Sequence, residues 1–139
     1  MITRTAFTCT AAALVAGVAL SSVAGWAQLR PVAMLDQLED GEWELRLRDE
    51  PGAPSHICLG DARKLIQLRH PGQNCTSVVV EDTPEAVTVQ YTCRGRGYGR
   101  THVRREADNL VQIESQGIAQ GLPFSFAAEA RRVSACTSR

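Results

Sequence analysis

The stretch Glu42-Trp43-Glu44-Leu45-Arg46-Leu47-Arg48 alternates charged and apolar side chains without a break. Successive side chains of a β-strand point to opposite faces, so this order sends Trp43, Leu45 and Leu47 one way and the charges the other. A helix would scatter the same residues around its circumference. The pattern demands a sheet with one dry face and one wet face, which antiparallel pairing allows. It recurs from Ala86 to Arg94, where Val87, Val89, Tyr91 and Cys93 oppose Thr88, Gln90, Thr92 and Arg94. Trp43 is expected in the core on the apolar side.

Further short strands are predicted at Ser77–Glu81, Arg100–Glu106, Leu110–Ser115 and Phe124–Arg131, with a brief extended run from His56 to Leu59. Turn residues separate them at Asp82-Thr83-Pro84-Glu85, Gly95 to Gly99, Ala107-Asp108-Asn109 and Gln116 to Pro123. The expected fold is mainly β, an antiparallel meander curled into a sandwich or an open barrel. One short helix is expected from Gly60 to Arg69, capped by Asp61 and ended by His70-Pro71-Gly72. Arg30 to Asp40 suits an amphipathic turn or two, with Met34, Leu35 and Leu38 on one side.

The first residues read as a leader. Arg4 is followed by an uncharged apolar run from Ala11 to Val23 and then by small residues at Ala24, Gly25 and Ala27. This three-part order is that of a secretory signal peptide spanning residues 1–27, and its apolar run is too short to cross a bilayer. Cleavage is expected after Ala27, with Ala24 as the alternative. The mature chain, residues 28–139, is long enough for one domain with a modest core.

Export frames the cysteines. Cys9 leaves with the leader, and Cys58, Cys75, Cys93 and Cys136 remain. An even set in a small exported domain predicts two disulfides with three possible pairings. The favoured pairing is Cys58–Cys75 with Cys93–Cys136, the first closing the helical loop and the second tying a central strand to the C-terminal tail. A zinc site is not expected, because no two cysteines stand two to four residues apart. The histidines His56, His70 and His102 also lack metal spacing and are expected at the surface.

Fifteen basic and fifteen acidic residues leave the chain neutral, which excludes binding to nucleic acid through phosphate contacts alone. Among the bases only Lys64 is a lysine. No G-x-S-x-G, H-E-x-x-H or free Cys-His pair is present, so no catalytic constellation and no cofactor are expected. Asn74-Cys75-Thr76 matches a glycosylation sequon by chance, since its cysteine is committed to a bridge.

The densest polar feature is Thr92-Cys93-Arg94-Gly95-Arg96-Gly97-Tyr98-Gly99-Arg100-Thr101-His102-Val103-Arg104-Arg105. Its glycines do not introduce a helix, so it is not a phosphate loop; strand alternation on both flanks makes it a hairpin. With Val103 inward, Arg100, His102 and Arg104 share the outer face near Gln90, Thr92 and Arg94. These basic residues form either a solvated face paired with Glu42 and Glu44 or Glu81 and Glu114, or a patch for an anion or partner made by Arg94, Arg100, His102 and Arg104. Arg105 points inward in this register, which requires a strand end or a bulge.

Gly41-Glu42-Trp43-Glu44, Cys58-Leu59, Cys75, Tyr91-Thr92-Cys93 and the closing Arg131-Arg132-Val133-Ser134-Ala135-Cys136 stand in an order that resembles the exported bacterial family called domain of unknown function 3617. The resemblance spans nearly the whole chain after the leader. It implies an exported, disulfide-bonded β domain and brings no catalytic residues. Many members look rich in methionine and glycine in the second half, where this chain has Arg100 to Arg105 and Leu122 to Phe126.

These readings lead to a periplasmic or secreted protein without a transmembrane segment after cleavage. Its expected role is a non-enzymatic binding or interaction module of the cell envelope, engaging a protein or small-molecule ligand. The alternative is an exported inhibitor of the lysozyme-inhibitor type, which Tyr91-Thr92-Cys93 and the glycine-rich loop resemble. Lysozyme is strongly basic, however, and an arginine-dense loop carries the wrong charge for its cleft.

Overall fold

Each alternating segment forms a strand. In chain order these are β1 (Gly41–Leu47), β2 (Ser55–Leu59), β3 (Cys75–Asp82), β4 (Ala86–Cys93), β5 (Gly97–Ala107), β6 (Leu110–Ala119) and β7 (Leu122–Ser134). The computed structural model describes residues 32–137, so the leader and both cleavage points lie outside the described residues. All seven strands join one antiparallel sheet in the order β2-β1-β7-β6-β5-β4-β3. The expected meander is the run from β3 to β7, and β1 and β2 extend it beyond β7. The sheet is open, with β2 and β3 as its edges.

Only one face of the sheet is dry. Trp43, Leu45, Val87, Val89, Tyr91, Val103, Val111, Ile113, Ala128 and Ala130 are buried there. No second sheet covers them among the described residues. Two non-strand segments do so instead, one placing Val32, Met34, Leu35 and Leu38 over the sheet and the other placing Leu65 and Ile66 there. Each contains a 3-10 turn, Leu35–Gln37 in the first and Ala62–Leu65 in the second, and Arg63 pairs with Asp36 at 3.2 Å to join them. The Trp43 indole N–H donates to the Glu39 carbonyl at 3.0 Å, so the largest buried side chain is also satisfied.

The expected short helix at 60–69 is this second 3-10 turn. Asp61 caps it as its sequence position suggests, its carboxylate accepting from the Arg63 N–H at 2.9 Å. A regular helix does not propagate because so short a segment gains too few hydrogen bonds to offset its nucleation.

The disulfide pairing differs from the favoured one. Cys75 bonds Cys93, and Cys58 bonds Cys136. Cys75 stands directly opposite Cys93 in the β3–β4 ladder, with Cα atoms 4.2 Å apart. β7 runs beside β1, and β1 beside β2, so the tail leaving β7 reaches Cys58 on β2 with a Cα separation of 5.6 Å. Proximity along the chain suggested Cys58–Cys75, but strand order overrides it.

The last hairpin also departs from expectation. Gln116 to Pro123 is not a loop, since β6 runs to Ala119 and β7 starts at Leu122 around Gln120-Gly121. Both loop residues have positive φ (53° and 79°), the conformation two-residue hairpin turns require. Gly117 and Pro123 look like strand breakers in sequence. Pro123 sits at the strand end, one pair from the turn, where a missing ladder donor is tolerated.

Candidate functional site

The wet face of β5 carries Arg100, His102 and Arg104 at every second position, with Val103 buried between them as the alternation predicts. Rows of side chains cross the sheet at each. Gln90, Arg100, Gln116 and Ser125 form one row across β4 to β7; Thr88, His102, Glu114 and Ala127 form the next. Two adjoining clefts lie along the first row. One, of about 360 Å³, is lined by Arg100, His102, Glu114, Gln116, Ser125 and Asp49 among others. The other, of about 370 Å³, is lined by Gln90, Tyr98, Arg100, Gln116 and Ser125 over the glycine backbone of Gly99 and Gly117. Arg100, Gln116 and Ser125 border both.

The four basic residues anticipated as a patch are in different situations. Arg104 pairs with Glu106 along its own strand at 2.9 Å. His102 leans away toward the β3 edge, where its Nδ1 lies 2.9 Å from the Thr88 hydroxyl. Arg94 stands in the turn between β4 and β5 and lines neither cleft. Arg100 is exposed, borders both clefts and has no hydrogen bond or ion pair with a side chain among the described residues. The acids of β1 share this wet face but do not reach the basic residues of β5. Glu44 pairs with Arg46 at 2.6 Å and Glu42 approaches His56 at 3.4 Å, because β7 and β6 separate β1 from β5.

Glu81, one of the acids expected opposite the basic face, lies 3.9 Å from His102 Nδ1, and Thr88 joins the two in a relay that the sequence did not indicate. The Thr88 hydroxyl donates to the Glu81 carboxylate at 2.9 Å. Its oxygen must then accept from His102, so Nδ1 carries a proton and Nε2 of the neutral ring is an acceptor. The carboxylate meets the hydroxyl rather than the far ring nitrogen, unlike the order that activates a nucleophile. The relay orients the imidazole instead. The β3–β4 register makes the contact, a bulge between Val79 and Glu81 bringing Glu81 opposite Thr88.

A second polar network lies on the dry face. His70, expected at the surface, is buried. Its Nε2 lies 3.2 Å from the Arg96 carbonyl, which only accepts, so Nε2 donates and Nδ1 accepts from the Tyr91 hydroxyl at 3.2 Å. Burial raises the Tyr91 phenol above its ordinary value. Gly99 makes room for this ring, since a Cβ there would stand 2.5 Å from the Tyr91 Cζ. Beside it the fully buried Thr101 hydroxyl donates to the Ile66 carbonyl at 2.6 Å and meets Ser115 Oγ at 2.8 Å. These bonds fix the 60s loop beneath the same strands that carry Arg100 on the opposite face.

Arg105 resolves as the register requires. It lies at a bulge between Arg105 and Ala107 near the strand end, and its guanidinium reaches the Pro84 carbonyl at 3.3 Å and Asp108 at 2.8 Å. Among the described residues no group of three or more His, Cys, Asp or Glu side chains is placed to hold a metal ion. No helix among them is long and apolar enough to cross a membrane.

No family model, curated protein or solved structure matches the chain. The likeness to domain of unknown function 3617 therefore rests on the residues quoted for it.

Proposed function

We propose that this chain is an exported, disulfide-stapled binding module of the cell envelope, of the kind the family resemblance implies, acting without catalysis. Its ligand site is the pair of clefts around Arg100. The observation that carries this reading is an exposed guanidinium that no carboxylate among the described residues holds, although Asp49 and Glu114 line the same cleft, with the uncharged hydrogen-bonding groups of Gln90, Gln116 and Ser125 nearest it. A guanidinium presents a planar fork of donors that fits a carboxylate in two-point contact. His102 Nε2, Glu114 and Asp49 add acceptors on one side of it. The chemistry supports a small anion of carboxylate type that also bears hydroxyl or amine donors.

Native mass spectrometry of the protein purified from its producing cell tests this. The expected result is a retained small molecule that is lost from Arg100→Ser and kept by Arg104→Ser, with the thermal midpoints of both variants close to wild type. A turnover activity that survives repurification and disappears with one polar substitution would overturn it.

A further inference from the structure

The two edges of the sheet are treated differently. On β2 the Cys58–Cys136 bridge holds the chain end against the strand, and the Lys64 ammonium donates to the Cys58 carbonyl at 3.1 Å. The edge at β3 has no such cover among the described residues, and its middle is Val78-Val79-Val80, exposed at 67%, 36% and 47%. An uncovered edge strand with exposed β-branched residues offers its free backbone groups to another strand.

Charge identifies the partner. One end of this edge carries Asp82, the last residue of β3, and Glu85 in the turn after it, neither of which has an ion-pair partner among the described residues. The β4–β5 turn, which comes after Cys93 and so lies at the Cys75 end, carries exposed Arg94 and Arg96, also without ion-pair partners among the described residues. One end is acidic and the other basic.

We infer that β3 pairs antiparallel with β3 of a second copy of this chain. A two-fold axis at the middle of the edge brings the acidic end of each copy to the basic end of the other. Parallel pairing would set like charges together. Across the junction Asp82 and Arg94 of the second copy stand two strand spacings apart, roughly 10 Å between backbones, which an extended arginine spans. The bulge between Val79 and Glu81 interrupts the regular ladder at one point, and the charged ends fix the direction of pairing. The clefts around Arg100 stay open in this dimer, so the inference stands apart from the ligand reading.

Sedimentation equilibrium of the disulfide-intact protein, from micromolar to millimolar concentration, provides the test. The expected result is a monomer–dimer equilibrium that Val78→Lys shifts by tenfold or more toward monomer. Val78 is exposed, so this variant keeps its fold, which thermal melting verifies. Arg94→Glu with Arg96→Glu is expected to weaken the dimer likewise, and adding Asp82→Arg with Glu85→Arg in the same chain to restore it. A monomer throughout the range overturns the inference and leaves the edge to a different partner. So does a dimer indifferent to Val78→Lys, or a charge-reversed set without rescue.

Discussion

Removing the Cys58–Cys136 bridge by Cys58→Ala with Cys136→Ala frees a loop of 78 residues in the unfolded chain. On the loop-entropy account a bridge of that span stabilises by about 4.5 kcal/mol. The 18-residue loop closed by Cys75–Cys93 contributes about 3 kcal/mol on the same account. The short loop is nested in the long one, which trims the outer value by only ~0.2 kcal/mol. Cys136 is exposed beyond the end of β7, so its loss removes little packing. The effect therefore belongs to the unfolded state. Urea denaturation of wild type and variant should give a loss of about 4 kcal/mol together with a larger m-value, as the freed chain exposes more surface. A loss below about 2 kcal/mol with an unchanged m-value would refute the reasoning. Peptide mapping under non-reducing conditions checks the premise, since a 58–75 linked fragment contradicts the register.

Thr101→Val keeps shape but leaves the Ile66 carbonyl and Ser115 Oγ without their buried partner. We expect a loss of about 1–3 kcal/mol by urea denaturation, and a neutral result would mean that water replaces the hydroxyl. The raised Tyr91 pKa gives an alkaline signature. The unfolded chain loses the phenolic proton first, so this stabilisation is whole below the ordinary value near 10.0 and fades as pH rises through the folded value. Tyr91→Phe should flatten that part of the urea-midpoint profile, and a profile parallel to wild type would exclude Tyr91 as its source.

Much of the sheet was legible because alternation is a local signal. Trp43, Val87, Val89, Tyr91 and Val103 declare their face within a few residues of chain, and the structure buries all five. The inward parity of Arg105 even anticipated an irregularity at its strand end. What failed needed strand order. Nothing near Cys58 states that β1 lies between β2 and β7, so its partner could not be read. His70 looked like loop punctuation because Tyr91 and Arg96, which satisfy it, are more than twenty residues away. The site was legible in part. Gln90 was placed near Arg100 by the hairpin register, while Gln116 was lost with the strand end assigned to a loop. Nor does sequence indicate that Glu106 neutralises Arg104 while Arg100 stays unpaired.

The place of β1 in the sheet has a kinetic meaning. Its long neighbour is β7, whose last residue is Ser134, so among the described residues the first strand in sequence pairs with the last. β3 to β6 are a run of hairpins between neighbours in sequence, and Cys75 meets Cys93 within the first of them. β1 has no such neighbour on its β7 side. Until β7 is available, β1 has only the short β2 as a ladder partner, and its other edge stays unpaired. Such long-range pairing closes slowly, and a chain caught before it exposes unpaired strand edges at β1 and β6. The topology thus makes completion of the β1 side of the sheet depend on β7.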